Sequence, residues 1–247
     1  MFLRLLGIAQ DAGVPHIGCR CARCEKFRSD PLLPACVGIV GERQTYLVDA
    51  TPAIARQIEM LPVFPESILL THAHMGHIAG LLQLGKEAWN RPTTIYASPS
   101  LCGFLEANAP WNQLPLACVQ TIGDLELEPG LHVEWVPVQH RAENSDTHAF
   151  LIRGPQRTVL YLPDIDAWDD DLESLLARCD VALLDGTFYS RDELPRHADV
   201  PHPPIEETLA RLGDQTSKVR FVHVNHTNRL LDEGSELLAV QGEDLAL

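Results

Sequence analysis

The sequence predicts an α/β fold in which sheets are sandwiched between helices, and three observations predict it. Short strand-like runs recur along the whole chain, most of them are apolar on both faces as covered sheets require, and helical patterns lie between them. In chain order the strand candidates are Arg4 to Ile8, Val37 to Val40, Thr45 to Val48, Ser67 to Leu70, Thr94 to Ala97, His132 to Val136, Ala149 to Ile152, Thr158 to Leu162, Val181 to Leu184 and Val219 to Val224. The helical candidates are Pro52 to Met60, His77 to Leu84, Pro99 to Ala107, Asp170 to Arg178 and Pro204 to Leu212. Proline opens several of these, where its fixed φ suits the first turn and its missing N–H would have no partner anyway. Helix–strand units return near the end, as in layered α/β folds. The segment from Glu236 to Leu247 carries no readable pattern.

At 247 residues and 45% hydrophobic content the chain is long enough to bury most of the surface its unfolded form exposes. No internal repeat, low-complexity segment or long linker divides it, so residues 1–247 read as a single domain. Its 34 acidic residues against 19 basic ones give a formal charge of -15, which argues against nucleic acid and anionic lipid as partners. The apolar opening Met1 to Ala9 is short, contains Arg4 and runs into Gln10 and Asp11. It reads as a first strand rather than a signal peptide, and no run approaches the ~18 apolar residues of a membrane helix. The expectation is a cytoplasmic protein. Seven cysteines suit no disulfide framework: Cys19, Cys21 and Cys24 crowd together, while Cys36, Cys102, Cys118 and Cys179 lie scattered. One metal cluster plus buried thiols fits that distribution.

The chemistry is concentrated in Thr71-His72-Ala73-His74-Met75-Gly76-His77, directly after the apolar run Ser67 to Leu70. An H-x-H-x-x-H loop at the end of a buried strand aims several imidazoles at one point, which metal binding requires. Polar ligand types recur where other apolar runs stop, at His140, Asp164 and His223. Strand ends are rigid enough to hold ligands to coordination tolerance. His132 and His197 read as ordinary surface or hydrogen-bonded histidines. Gly80 permits close helix packing beside the histidine loop, and Phe104, Trp111 and Leu114 read as core, with the wall of a pocket as the alternative.

In order and spacing, the loop with His140, Asp164 and His223 resembles the five-motif metal site of the metallo-β-lactamase superfamily, which implies its αβ/βα sandwich of two mixed sheets flanked by helices. Within it, Leu184 to Glu193, His223-Val224-Asn225-His226-Thr227-Asn228 and Leu231-Asp232-Glu233 look like the pyrroloquinoline quinone biosynthesis protein B (PqqB) family. The segment Cys19 to Cys24 is shared by that family and by the phosphodiesterase of phosphonate breakdown (PhnP). The resemblance implies one metal held by His72, His74 and His140, with Asp164 bridging to a second bound by His77 and His223. A water between two such ions, roughly 3.5–4 Å apart, loses a proton near neutral pH and serves as the nucleophile. The ions expected are one or two of Zn2+, Mn2+ or Fe2+.

The superfamily usually has Asp where this chain has Gly76. With that carboxylate gone, the first metal is expected to be tight and the second weak or exchangeable. PqqB members generally have a degenerate histidine loop, whereas His72 and His74 are both present here, so the metal site looks more like the hydrolases. Cys19, Cys21 and Cys24 supply three thiolates to a structural zinc in a loop at about residues 16–28, and the resemblance to the phosphodiesterase implies His226 as the fourth ligand. Asp185 could orient a ligating imidazole by accepting its other N–H. His202 resembles a histidine near the phosphodiesterase active site and would donate a proton to a leaving group. Arg141 and Tyr189 are candidate contacts to an anionic substrate.

Three functions follow from these readings. The first is a metal-dependent hydrolase acting on a small phosphodiester or ester through a metal-held hydroxide, with Asp164 and His202 as catalytic residues. The second is a PqqB-like, iron-dependent, oxygen-using enzyme of cofactor biosynthesis. The third is a carrier that keeps the scaffold without turnover. A small anionic substrate is the expected partner, and a homodimer is compatible with all three.

Overall fold

In a computed structural model, which describes residues 1–89, 91–193 and 201–247, two mixed sheets face one another with helices on both outer sides. The first sheet uses β1 (Phe2–Gly7), β2 (Cys36–Val40), β3 (Thr45–Val48), β4 (Ser67–Leu69), β5 (Thr93–Ala97) and β6 (Leu116–Gln120) in that spatial order. The second uses β7 (Gly123–Glu128), β8 (Leu131–Val138), β9 (Thr147–Arg153), β10 (Thr158–Leu162), β11 (Val181–Asp185) and β12 (Val219–Val222). A last strand, β13 (Asp244–Ala246), returns to pair antiparallel with β1, Phe2 opposite Ala246.

Period-two alternation divides the apolar residues among three cores. Between the sheets lie Leu3, Leu5, Val37, Ile39, Phe150, Ile152, Tyr161 and Leu183. Their neighbours Ala149, Leu151, Leu160 and Leu162 face outward, under the helix Ile205–Leu212. On the other side Leu47, Ile68 and Ile95 pack beneath Ile54–Glu59 and Pro99–Ala107. Both faces of most central strands are therefore covered, which is why the runs read as apolar throughout. Phe104 and Trp111 pack against this last core, ring centroids 5.7 Å apart, as expected for core aromatics.

The sequence reading matches β3 and β10 residue for residue but misses β6, β7 and β13. β6 and β7 are half-exposed strands at the sheet edges, and β13 is three residues long. Short helices at Ala22–Lys26, Lys86–Trp89 and Leu230–Glu233 are missed too, and the helix expected from His77 to Leu84 is a short turn at Met75–Ile78 followed by a 3-10 segment at Ala79–Leu84. No helix among the described residues is long and apolar enough to cross a membrane.

Strand direction gathers the chemistry. β3, β4 and β5 are parallel, and β1 runs the same way because β2 is antiparallel to both β1 and β3. In the second sheet β8, β10, β11 and β12 share one direction for the same reason. The segments leaving the C-terminal ends of these strands meet at one edge of the sandwich.

Gly80 sits under this edge against backbone rather than against a helix: its N–H donates to the Ala50 carbonyl at 2.8 Å. A Cβ there would lie 2.1 Å from the Thr51 carbonyl oxygen and 2.8 Å from that of Ala50, and neither can swing aside. Gly80→Ala is therefore expected to destabilise the fold by about 3 kcal/mol. Urea unfolding monitored by circular dichroism checks this, and an unchanged midpoint would contradict it.

Candidate metal centre

All the histidines and carboxylates expected at the site converge. His72, His74 and His140 bring one ligand atom each to within 4.8 Å of one another, as do His72, His77 and Asp164, and also Asp164, His202 and His223. Asp164, 3% exposed, lies centrally, with Oδ2 3.0 Å from His77 Nε2 and Oδ1 3.7 Å from His140 Nε2 and 3.4 Å from His223 Nε2. That is the position of a carboxylate shared between two clusters.

The outward nitrogen of most of these rings is fixed by the protein. His77 Nδ1 donates to Asp49 Oδ2 at 2.7 Å, and His140 Nδ1 donates to Asp166 Oδ1 at 2.9 Å. Thr71 Oγ1, which donates to Asp49, accepts from His72 Nδ1 at 3.0 Å. Thr187 Oγ1, which donates to Asp185 Oδ1, accepts from His223 Nδ1 at 2.9 Å. Two carboxylates thus play matching parts in the two sheets: each holds a threonine hydroxyl that orients one imidazole, and each binds a second imidazole directly, His77 for Asp49 and His202 for Asp185. Such outer partners fix the tautomer so that the Nε2 lone pairs point inward.

This orientation tests whether the residues fit a metal. With Nδ1–H committed to Asp49, His77 turns Nε2 to an Asp164 oxygen 3.0 Å away, a contact that needs a cation or a proton between the two atoms. A proton on His77 would satisfy that single contact. It would not account for His72 Nε2, which is buried without a hydrogen-bond partner, or for His74 Nδ1 and His140 Nε2 facing each other at 3.2 Å. Burial pushes the His72 imidazole well below its ordinary pKa, so its ring is neutral. Burial would raise the Asp164 carboxyl, but His223 and His77, themselves raised by the carboxylates around them, outweigh it and hold the group well below the carboxylate range. Positive charge next to this buried carboxylate is what a divalent metal would supply.

Backbone strain concentrates here as well. The non-glycine residues with φ in the left-handed region, among those described, are Asp49 at 67°, His202 at 102° and His223 at 59°.

His202 is 6% exposed, and its Nδ1 donates to Asp185 Oδ2 at 2.6 Å. Its ring lies 5.4 Å from that of His140 and 5.8 Å from that of His223. Burial works against its protonation, but the Asp185 carboxylate more than offsets this and raises it to about 9. The expected role of Asp185 is thereby corrected: it bonds His202 directly and reaches the ligand-type His223 only through Thr187. Tyr189 is not a free anion contact, since the Arg229 guanidinium covers its ring at 3.6 Å. Arg141 is exposed beside His140, its backbone N–H donating to Asp166. His132 lies on β8 near Asp124, an ordinary surface position, and His197 lies outside the described residues.

A second cluster joins the N-terminal loop to the segment after β12. The ligand atoms of Cys19, Cys21, Cys24 and His226 lie within 4.8 Å of one another, and His226 Nδ1 is 3.6 Å from Cys19 Sγ and 3.7 Å from Cys21 Sγ. Zinc bond lengths in a tetrahedron give sulfur–nitrogen edges of roughly 3.6 Å, so the set fits. Arg23, paired with Asp232 at 2.7 and 2.6 Å, and Lys26, donating to the Leu231 carbonyl at 2.7 Å, latch the same two segments.

The sequence reading missed Asp49, Thr71, Asp166 and Thr187 as orienting groups, and it missed Asp11. Asp11 Oδ1 lies 3.1 Å from His223 Nε2 and 3.6 Å from His77 Nε2. Like Asp164 it follows an apolar strand, but a lone aspartate there is also an ordinary turn residue.

Layered sheets between helices, with imidazoles and carboxylates gathered at one sheet edge, define a metallo-β-lactamase-type fold that carries a candidate metal centre. The chain belongs to the β-lactamase superfamily: the model of the beta-lactamase superfamily domain matches residues 44–224. It is 27% identical over 287 residues to coenzyme PQQ synthesis protein B of Methylorubrum extorquens (strain PA1), covering 98% of this chain and 95% of that protein. Among solved structures it is similar to Zn2+-bound PqqB from Methylobacterium extorquens, with a TM-score of 0.83, 25% identity and full coverage of both chains. It shares its fold with a diphosphatase from the PhnP family, with a TM-score of 0.78, 23% identity and coverage of 100% of this chain and 97% of that one.

Proposed function

We propose that this chain is a metal-dependent hydrolase of a small anionic phosphodiester or ester. His72, His74 and His140 would hold one divalent ion and His77 and His223 another, with Asp164 within reach of both sets. Cys19, Cys21, Cys24 and His226 would hold a structural zinc. When bound, the active-site ions supply Lewis acidity and lower the pKa of water. The residues of the chain do the rest. Asp49, Asp166 and the two threonine relays keep the imidazoles aimed inward, Asp185 fixes His202 with its free ring nitrogen toward the shared space, and His202 delivers a proton to the leaving oxygen. Arg141 adds positive charge at the rim for an anionic substrate.

The observation that carries this reading is the pairing of an intact inward-facing ligand set with a proton donor fixed beside it by a 2.6 Å bond to Asp185. The test is turnover of bis(p-nitrophenyl) phosphate by protein stripped of metal and reloaded with Zn2+ or Mn2+ in the absence of oxygen. Activity should return with metal, and His72→Ala should lower it at least 10²-fold, since even groups that only orient ligands matter 10–100-fold. Activity that ignores both the metal and His72→Ala would sink the proposal.

A second reading draws on the relatives named coenzyme PQQ synthesis protein B, whose likeness extends over nearly the whole chain. In that reading the same ligands hold ferrous iron with open positions and the enzyme consumes oxygen. Oxygen uptake by iron-loaded protein with a small tyrosine-containing substrate, without hydrolysis of phosphodiesters, would favour it.

A further inference from the structure

We propose that Asp11 is itself a ligand of the second metal, so that the carboxylate this site needs comes from the segment after β1 rather than from the histidine loop. The inference rests on the two-ion reading above and adds a residue to it. Asp11 Oδ1 faces the Nε2 atoms of both His223, at 3.1 Å, and His77, at 3.6 Å. The far nitrogens of those rings are committed to Thr187 and Asp49, so the nitrogens that face Asp11 are the ones left to ligate. A carboxylate oxygen and two ring nitrogens that close together, with Asp164 3.0 Å from one ring and 3.4 Å from the other, form a two-nitrogen, two-oxygen set. That set suits zinc, manganese or ferrous iron.

Gly76 explains how the carboxylate fits. Its φ is not left-handed and it lies in the helical turn Met75–Ile78, where glycine is disfavoured, so the backbone gives no reason for glycine there. A Cβ at position 76 would lie 2.2 Å from both Cγ and Oδ1 of Asp11 and 2.7 Å from its Cβ. The volume a side chain at 76 would use is thus filled by the Asp11 carboxylate, and the two positions exclude one another.

The backbone holds Asp11 in register. Gln10 N–H donates to the Val224 carbonyl at 2.9 Å and Val224 N–H donates to the Ile8 carbonyl at 2.9 Å, a parallel bridge that sets Asp11 beside His223. The Asp11 side chain is 40% exposed while those of His77, His223 and Asp164 are 2–3% exposed, so it closes the site on its solvent side. With Asp11 counted, four protein groups would hold the second ion, so it should bind more tightly than Gly76 alone leads one to expect.

The test is Co2+ titration of protein with its structural cluster filled, followed by calorimetry and by the visible spectrum of the bound cobalt. Wild type should take up two ions. Asp11→Asn should keep the first unchanged and bind the second at least 10²-fold more weakly, more than the loss of an orienting group costs. The exchange variant Asp11→Gly with Gly76→Asp should recover the second ion, which a merely structural role for Asp11 would not produce. Thermal melts of each variant identify any that fail to fold, and the exchange variant then decides. Asp11→Asn retaining both ions at wild-type affinity would overturn the inference while leaving the hydrolase reading in place. Two Asp11-dependent ions in a protein without turnover would uphold the inference and remove that reading.

Discussion

Replacing Cys24 with serine is expected to lower the melting temperature by roughly 8–16 °C and to remove one zinc per chain. Cys24 is fully buried, and its sulfur accepts the His16 backbone N–H at 3.3 Å, so no solvent route replaces the metal it would hold. Zinc binding supplies roughly 10–16 kcal/mol in small zinc-folded peptides. A third of that, roughly 4 kcal/mol, corresponds to the stated fall at 2–4 °C per kcal/mol for a chain of this size. The ion pair of Arg23 with Asp232 cannot substitute, since half-exposed pairs contribute about 0–1 kcal/mol. Differential scanning calorimetry with elemental analysis decides the matter. A melting temperature within about 2 °C of wild type at unchanged zinc content would show that the four residues are not a structural metal site.

The second large effect concerns His202. His202→Ala is expected to reduce kcat by about 10²–10⁴ for a substrate with a poor, alkyl-type leaving group, and far less for a p-nitrophenyl ester. The reason is chemical: a nitrophenolate departs without a proton, whereas an alkoxide needs one. KM and metal content should stay close to wild type, because His202 stands beside the proposed ligand set rather than in it. Asp185→Asn should act in the same direction more weakly, since it removes the charge that holds the His202 proton but keeps an acceptor oxygen near Nδ1. Equal losses for both leaving groups, or loss of an ion with the side chain, would show that His202 is not the proton donor.

The parts of the site legible in the sequence are those where residue type and position agree. His72, His74 and His77 stand three together after one strand, and His140, Asp164 and His223 each interrupt an apolar run, so their convergence could be expected without coordinates. Asp11, Asp49, Asp166, Thr71 and Thr187 could not be read in the same way. A single aspartate or threonine after a strand is an ordinary turn residue, and only pairing across the sheets reveals what it faces. The bridge of Ala9 to Val224, on which the position of Asp11 depends, joins residues more than two hundred apart. The fold shows the same division. Central strands covered on both sides declare themselves, while β6, β7 and β13 lack the burial that writes a pattern into sequence.

The segment from His223 to His226 gives one stretch of backbone to both proposed metal clusters, and the bridge to residues 8–10 ties in Asp11, only eight positions ahead of Cys19. An ion in the cysteine cluster would order the same backbone that presents His223 and Asp11, and any gain in affinity it gave the neighbouring centre would be returned by the same factor.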